Sequence, residues 1–126
     1  MQVNHIGLNI SCEGEVSAFY LDILELQANG SFTISRQISQ KFFDIPDDAR
    51  VFMVKNEQAS LELFVYGKPL KTGYAHMCIE VEDREETARR CHEKGYPVMR
   101  LKREKGDLLF VKDKIGNVFE LKNKVL

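Results

Sequence analysis

The sequence predicts an α+β protein. Two βαβββ modules would form a cup-shaped, mostly antiparallel sheet with helices outside. Three observations point there. Short runs alternate apolar and polar residues, as strands with one buried face do. Two stretches carry apolar residues at helical spacing. The order strand, helix, strands occurs twice, joined by the polar connection Lys68-Pro69-Leu70-Lys71-Thr72-Gly73. The modules span about residues 1–67 and 74–126 of a single domain, and 126 residues suffice for one compact core.

Taken in order, Val3 to Ile10 reads as the opening strand of module one. A helix follows over roughly 14–25, where Val16, Phe19, Tyr20, Ile23 and Leu24 recur at i, i+3, i+4, i+7 and i+8 as a buried stripe. Strands are expected at about 26–33, 36–44 and 50–56, and the module closes on Ser60 to Tyr66. Module two opens on Tyr74 to Glu82. Its helix covers roughly 84–94, with Asp83 as N-cap, Glu86 completing a capping-box-like pair and Gly95 as the C-terminal stop. Ala88 and Cys91 give this helix its inner face, and His92 lies among charged neighbours on the solvated one. Strands follow at about 97–103 and 107–112, with turns at Lys105-Gly106-Asp107 and Lys114-Ile115-Gly116-Asn117. Val118 to Lys122 is the closing strand.

Four residues in these strands carry chemistry. In the opening strand His5 shares a face with Gly7 and Asn9, opposite Ile6, Leu8 and Ile10. Glu62 aligns with Ser60, Phe64 and Tyr66, opposite Leu61, Leu63 and Val65. His76 aligns with Tyr74, Cys78 and Glu80, opposite Ala75, Met77, Ile79 and Val81. Glu120 opposes Phe119 and Leu121. A lone strand histidine is ordinarily a hydrogen-bonded core or rim residue, and a lone glutamate is ordinarily solvated. Two imidazoles and two carboxylates at matched positions, in a chain with three histidines, form a donor set suited to a divalent metal.

Composition narrows the partners. A net charge of −1 offers no electrostatic footprint for nucleic acid. No apolar run approaches the roughly 20 residues that span a bilayer. The first residues begin directly as a strand, without a signal-peptide layout. Cys12, Cys78 and Cys91 show no CxxC spacing and read as reduced thiols of a cytoplasmic protein. Cys78 borders the candidate site because it shares a face with His76. The expected partner is a small-molecule substrate. Phe42, Phe43, Phe64 and Tyr66 are candidate pocket walls, and Arg36, Arg100 and Lys102 candidate contacts for an anionic group. The plainer reading of all seven is core aromatics and solvated charges.

Five fragments, in order, resemble the vicinal oxygen chelate superfamily, which includes glyoxalase I, methylmalonyl-CoA epimerase, extradiol dioxygenases and fosfomycin/bleomycin-resistance proteins. They are Asn4-His5-Ile6-Gly7-Leu8; Phe19-Tyr20 with Leu24-Glu25-Leu26; Leu61-Glu62-Leu63-Phe64; Tyr74 to Val81; and Asp113 to Leu121, ending Phe119-Glu120-Leu121. The His, Glu, His, Glu set is similar to that of bacterial glyoxalase I. The resemblance implies that His5, Glu62, His76 and Glu120 bind one divalent ion (Ni²⁺, Co²⁺, Zn²⁺ or Mn²⁺), with waters completing an octahedron. It also implies a homodimer.

By that resemblance the protein is a lyase or isomerase of glyoxalase I type, like lactoylglutathione lyase. It would move a proton next to a carbonyl through an enediolate, with Glu120 the first choice of base and Glu62 returning the proton. There are departures. Glu25 stands for the usual glycine after helix one, and Lys114 for the usual proline of the last turn. Asn9 and Tyr66 stand where glyoxalase I places an arginine and an asparagine against glutathione, which argues against glutathione as co-substrate. Two alternatives stay open: an enzyme like methylmalonyl-CoA epimerase, and a metal-free protein that sequesters a small molecule such as a drug.

Overall fold

In a computed structural model of the protein, residues 1–68, 70, 74–112 and 118–125 are described. The turn expected at Lys114–Asn117 and most of the connection around Pro69–Gly73 lie outside them. The class is α+β, as expected. The strands are β1 (Gln2–Asn9), β2 (Gln27–Ile34), β3 (Ala49–Lys55), β4 (Ser60–Tyr66), β5 (Tyr74–Val81), β6 (Val98–Leu101), β7 (Leu108–Lys112) and β8 (Val118–Asn123). A π-helix (Val16–Leu21) and two α-helices, α1 (Arg36–Phe43) and α2 (Arg84–Glu93), accompany them. Among the described residues no helix is long and apolar enough to cross a membrane. The chain divides into two compact units, residues 5–75 and residues 1–4 with 76–126.

In the unit of residues 5–75 the strand order is β2-β3-β4-β1. β2 and β4 run antiparallel to β3, and β1 runs parallel to β4. Alternation sends Leu63 and Val54 to one face, where they pack with Val16 of the π-helix and Leu26. Phe64, Tyr66, Val51 and Ala49 take the opposite face and pack with Phe43, Ile34 and Ile45.

Segment 36–44 corrects the expectation of a strand, because it is helix α1. Its signals were local. Ser35 accepts a hydrogen bond from the Ile38 N–H at 3.3 Å, and Asp44 ends the helix in the left-handed region at φ 59°. Ile38, Ser39, Phe42 and Phe43 follow helical spacing, and Ser39 and Phe42 are fully buried. The aromatics expected to wall a pocket are core here. Phe43 meets Phe64 edge-on at 5.6 Å, Phe64 stacks on Tyr66 at 6.4 Å, and the Tyr66 hydroxyl lies 3.3 Å from Ser39 Oγ. Burial raises the Tyr66 pKa above its ordinary value, because the charged phenolate loses its hydration.

The first helix also departs from expectation. It is a short π-helix, in which Asp22 N–H reaches Ser17 C=O and Leu24 N–H reaches Phe19 C=O, each at 3.0 Å and five residues back. The wider turn breaks the expected stripe. Val16 is buried and Tyr20 half-buried, but Phe19, Ile23 and Leu24 are exposed. Glu25 then takes φ 59°, the conformation for which glycine is the usual residue.

In the other unit the order is β5-β8-β7-β6, with β5 parallel to β8 and the remaining pairs antiparallel. α2 lays Ala88 and Cys91 over Leu109, Val111 and Leu121. Asp83 caps it, accepting from the Glu85 and Glu86 N–H groups at 3.1 Å each. Glu86 does not complete a capping box: its carboxylate is taken by Arg89 at 2.6 Å. Gly95 (φ 83°) stops the helix, and Gly106 (φ 108°) turns the chain between β6 and β7. Arg100 is not available to an anionic ligand. It pairs with Glu85 of α2 and, at 3.0 Å, with Asp107. Both partners raise its pKa, so it stays cationic.

Candidate metal centre

Each unit places one of the expected histidines against one of the expected glutamates. In the unit of residues 5–75, His5 projects from β1 and its Nε2 lies 3.3 Å from Glu62 Oε1. The parallel β1–β4 register sets Gly7 opposite Glu62, and the antiparallel β3–β4 register sets Met53 on its other side. In the second unit His76 Nε2 lies 3.3 Å from Glu120 Oε1. Here the parallel β5–β8 register sets Cys78 opposite Glu120, and the antiparallel β7–β8 register sets Phe110 on its other side. The same local construction therefore occurs twice. A histidine two residues before the register partner of a glutamate leans along the sheet to meet that glutamate's carboxylate.

Burial marks these groups. The buried polar or charged side chains among the described residues are His5, Ser39, His76 and Glu120. Glu62 is the most open of the four expected ligands, its side chain 18% exposed against 11% for Glu120, 6% for His5 and 2% for His76. Carboxylates leave water at a cost that only a counter-charge, hydrogen bonds or a metal offsets. Imidazole nitrogen and carboxylate oxygen are the donors that Zn²⁺, Ni²⁺, Co²⁺ and Mn²⁺ accept. The donor chemistry and the burial of these side chains fit such an ion.

Further residues surround these pairs. The Phe110 ring lies 5.7 Å from the His76 ring. Its place was legible in the alternation of Leu108 to Lys112, where it opposes Leu109 and Val111. Asn4 donates to Glu80 at 2.5 Å. Asn9 donates to the Tyr74 carbonyl at 3.4 Å, so its amide is directed to backbone. Of the remaining candidates, Arg36 lies in the first turn of α1, where its backbone N–H donates to Asp48 at 2.6 Å, and Lys102 is exposed beyond β6.

Known proteins carry the same fold. A hypothetical protein from Bacillus halodurans is 19% identical, with 99% of this chain and 95% of that one covered at a TM-score of 0.69. The methylmalonyl-CoA epimerase of Mycobacterium tuberculosis is 15% identical, with coverage of 99% and 89% and a TM-score of 0.69. The 2,3-dioxygenase LapB of Pseudomonas sp. KL28 is 14% identical, with 98% of this chain matching 40% of that one at a TM-score of 0.67. No protein of curated function matches the chain by sequence. The sequence profile that describes the Glyoxalase/Bleomycin resistance protein/Dioxygenase superfamily matches residues 2–121, and the chain belongs to that superfamily.

Proposed function

We propose that His5, Glu62, His76 and Glu120 hold one divalent ion, and that the protein is an enzyme moving a proton next to a substrate carbonyl. The observation that carries this reading is the doubled His–Glu pair, each with Nε2 and Oε1 at 3.3 Å. Membership of the superfamily supports it. When bound, a divalent ion supplies Lewis acidity toward a carbonyl oxygen. The chain's own residues do the rest. His5 and His76 serve as ligands only. Glu62 and Glu120 offer carboxylate oxygens that can take a carbon-bound proton and return it.

The substrate in this reading is a small carbonyl compound carried on a thiol, as in a glyoxalase-type lyase or isomerase. Two contacts weigh against glutathione as that thiol. The Asn9 amide is directed to a backbone carbonyl, and Tyr66 is buried beside Ser39. A CoA thioester epimerase is the second reading, favoured by the fold shared with the Mycobacterium tuberculosis enzyme. We also propose a homodimer, supported by the exposed Phe19, Ile23 and Leu24.

The test is calorimetric titration of chelator-stripped protein with Ni²⁺ and Zn²⁺, beside the His5→Ala/His76→Ala double variant. One ion per chain, lost in the variant, is the expected result, and no binding by the wild type would remove the metalloenzyme reading. α-Proton exchange in D₂O with methylmalonyl-CoA, set against conversion of methylglyoxal adducts of a series of small thiols, then separates epimerase from lyase. Sedimentation velocity checks the dimer.

A further inference from the structure

A cavity of about 330 Å³ lies along α2, lined by Thr87, Arg90, Cys91, Lys94 and Tyr96. That volume is at the lower end for small-molecule pockets. Helical spacing and the turn that ends α2 create it. Thr87, Arg90, Cys91 and Lys94 stand at i, i+3, i+4 and i+7, on one side of the helix. Gly95 then takes φ 83°, and the Tyr96 N–H donates to the Cys91 carbonyl at 2.9 Å, which folds Tyr96 back beside the helix. Cys91 packs with Leu109, Val111 and Leu121. The cavity therefore belongs to the sheet face turned away from Glu120, whose side chain opposes that of Leu121 along β8.

The charges around it are unbalanced. All three carboxylates of α2 are held by other guanidinium groups: Glu85 by Arg84 and Arg100, Glu86 and Glu93 by Arg89. Among the described residues, the charged ends of Arg90 and Lys94 make no ion pair or hydrogen bond. The last carbonyls of the helix do not need these cations, because they accept from the Lys94, Gly95 and Tyr96 N–H groups. The walls are almost wholly apolar atoms. Arg90 and Lys94, both exposed, thus give the wall their methylene stems and hold their charges at the rim.

We propose that this cavity binds a small organic monocarboxylate, its apolar body inside and its carboxylate between Arg90 and Lys94. An inorganic anion would meet the rim and leave the apolar wall uncovered. A neutral apolar molecule would fill the cavity and leave both cations unmatched. The site is separate from the His–Glu pairs and needs no metal ion.

Octanoate is the probe, with octanol and inorganic phosphate supplying its two halves separately. In an NMR titration of the full chain, octanoate should give saturable shifts of the Thr87 to Tyr96 amides. Octanol should bind about tenfold more weakly, and phosphate should give no saturable shift there. The Arg90→Gln/Lys94→Gln double variant should bind octanoate about tenfold more weakly, since each cation at a solvated rim is worth at most about fivefold. Thr87→Trp fills the cavity without touching either charge and should abolish binding with the circular dichroism of the protein unchanged. In Cys12→Ser protein, saturating octanoate should slow alkylation of Cys91 by iodoacetamide. The proposal is overturned by octanoate giving no saturable shift in the wild type, by octanol or phosphate binding as tightly as octanoate, by undiminished affinity in the double variant or in folded Thr87→Trp protein, or by an unchanged Cys91 alkylation rate.

Discussion

The two modules repeat their strands far more faithfully than their helices. β1 with β4, and β5 with β8, use the same parallel register to bring a histidine to a glutamate. Over the sheet face opposite its histidine and glutamate, one module lays a regular α2 with an Asp83 cap, a Gly95 stop and the ion pairs of Arg89 with Glu86 and Glu93. The other lays a six-residue π-helix without a side-chain cap, which leaves Ile23 66% exposed. Among the described residues, only module one inserts a second helix, α1, between its second and third strands. A strand that carries a ligand is fixed by register, since a one-residue slip would turn the ligand to the other face. A covering helix need only remove apolar area from water, and several local geometries achieve that.

That contrast can be broken or sharpened by experiment. The largest effect is expected where module one depends on its extra helix. Phe42→Ala empties a fully buried site and should cost about 3–5 kcal/mol in urea denaturation. A loss under 1 kcal/mol would mean that α1 is not integral to that unit. Next comes the ion: adding Ni²⁺ at a hundred times its Kd should stabilise the protein by about 2.7 kcal/mol, reversed by chelator. Asp83→Ala removes the cap of α2 and should cost about 1 kcal/mol. The smallest effect has the opposite sign. Glu25→Gly relieves a left-handed residue after the π-helix and should add about 0.5–1 kcal/mol.

Alkali offers a further check on the module with α1. The folded-state pKa of Tyr66 is raised, so the folded protein holds this proton more tightly than the unfolded chain does. Stability from this group is therefore complete below the unfolded value of about 10 and declines as pH rises from there toward the folded pKa. Tyr66→Phe should flatten that decline.

Much of the fold was legible because alternation and capping are local. β1, β4, β5 and β8 follow directly from period two, and Asp83 and Gly95 mark α2 as written. The errors have physical causes. Segment 36–44 contains too few apolar residues to announce either period, and the helical spacing of Ile38, Ser39, Phe42 and Phe43 includes a polar serine. Phe19, Ile23 and Leu24 have the spacing of a buried stripe, but the π-turn rotates them away from the core. Phe64 and Tyr66 share the face of Glu62, yet α1 covers that end of it, so alternation alone could not distinguish a pocket wall from a core. The candidate ligands were legible as residues on like faces. Which histidine meets which glutamate was not, because that depends on strand register.

The division of the chain also bears on how it can be cut. The first four residues belong to the unit of residues 76–126, while Tyr74 and Ala75 belong to the other. A polypeptide severed near residue 70 would give fragments of which neither contains a whole unit, and each should fold poorly until mixed with its complement. Recovery of structure on mixing, followed by circular dichroism, would make the severed protein a reporter of how the two halves assemble.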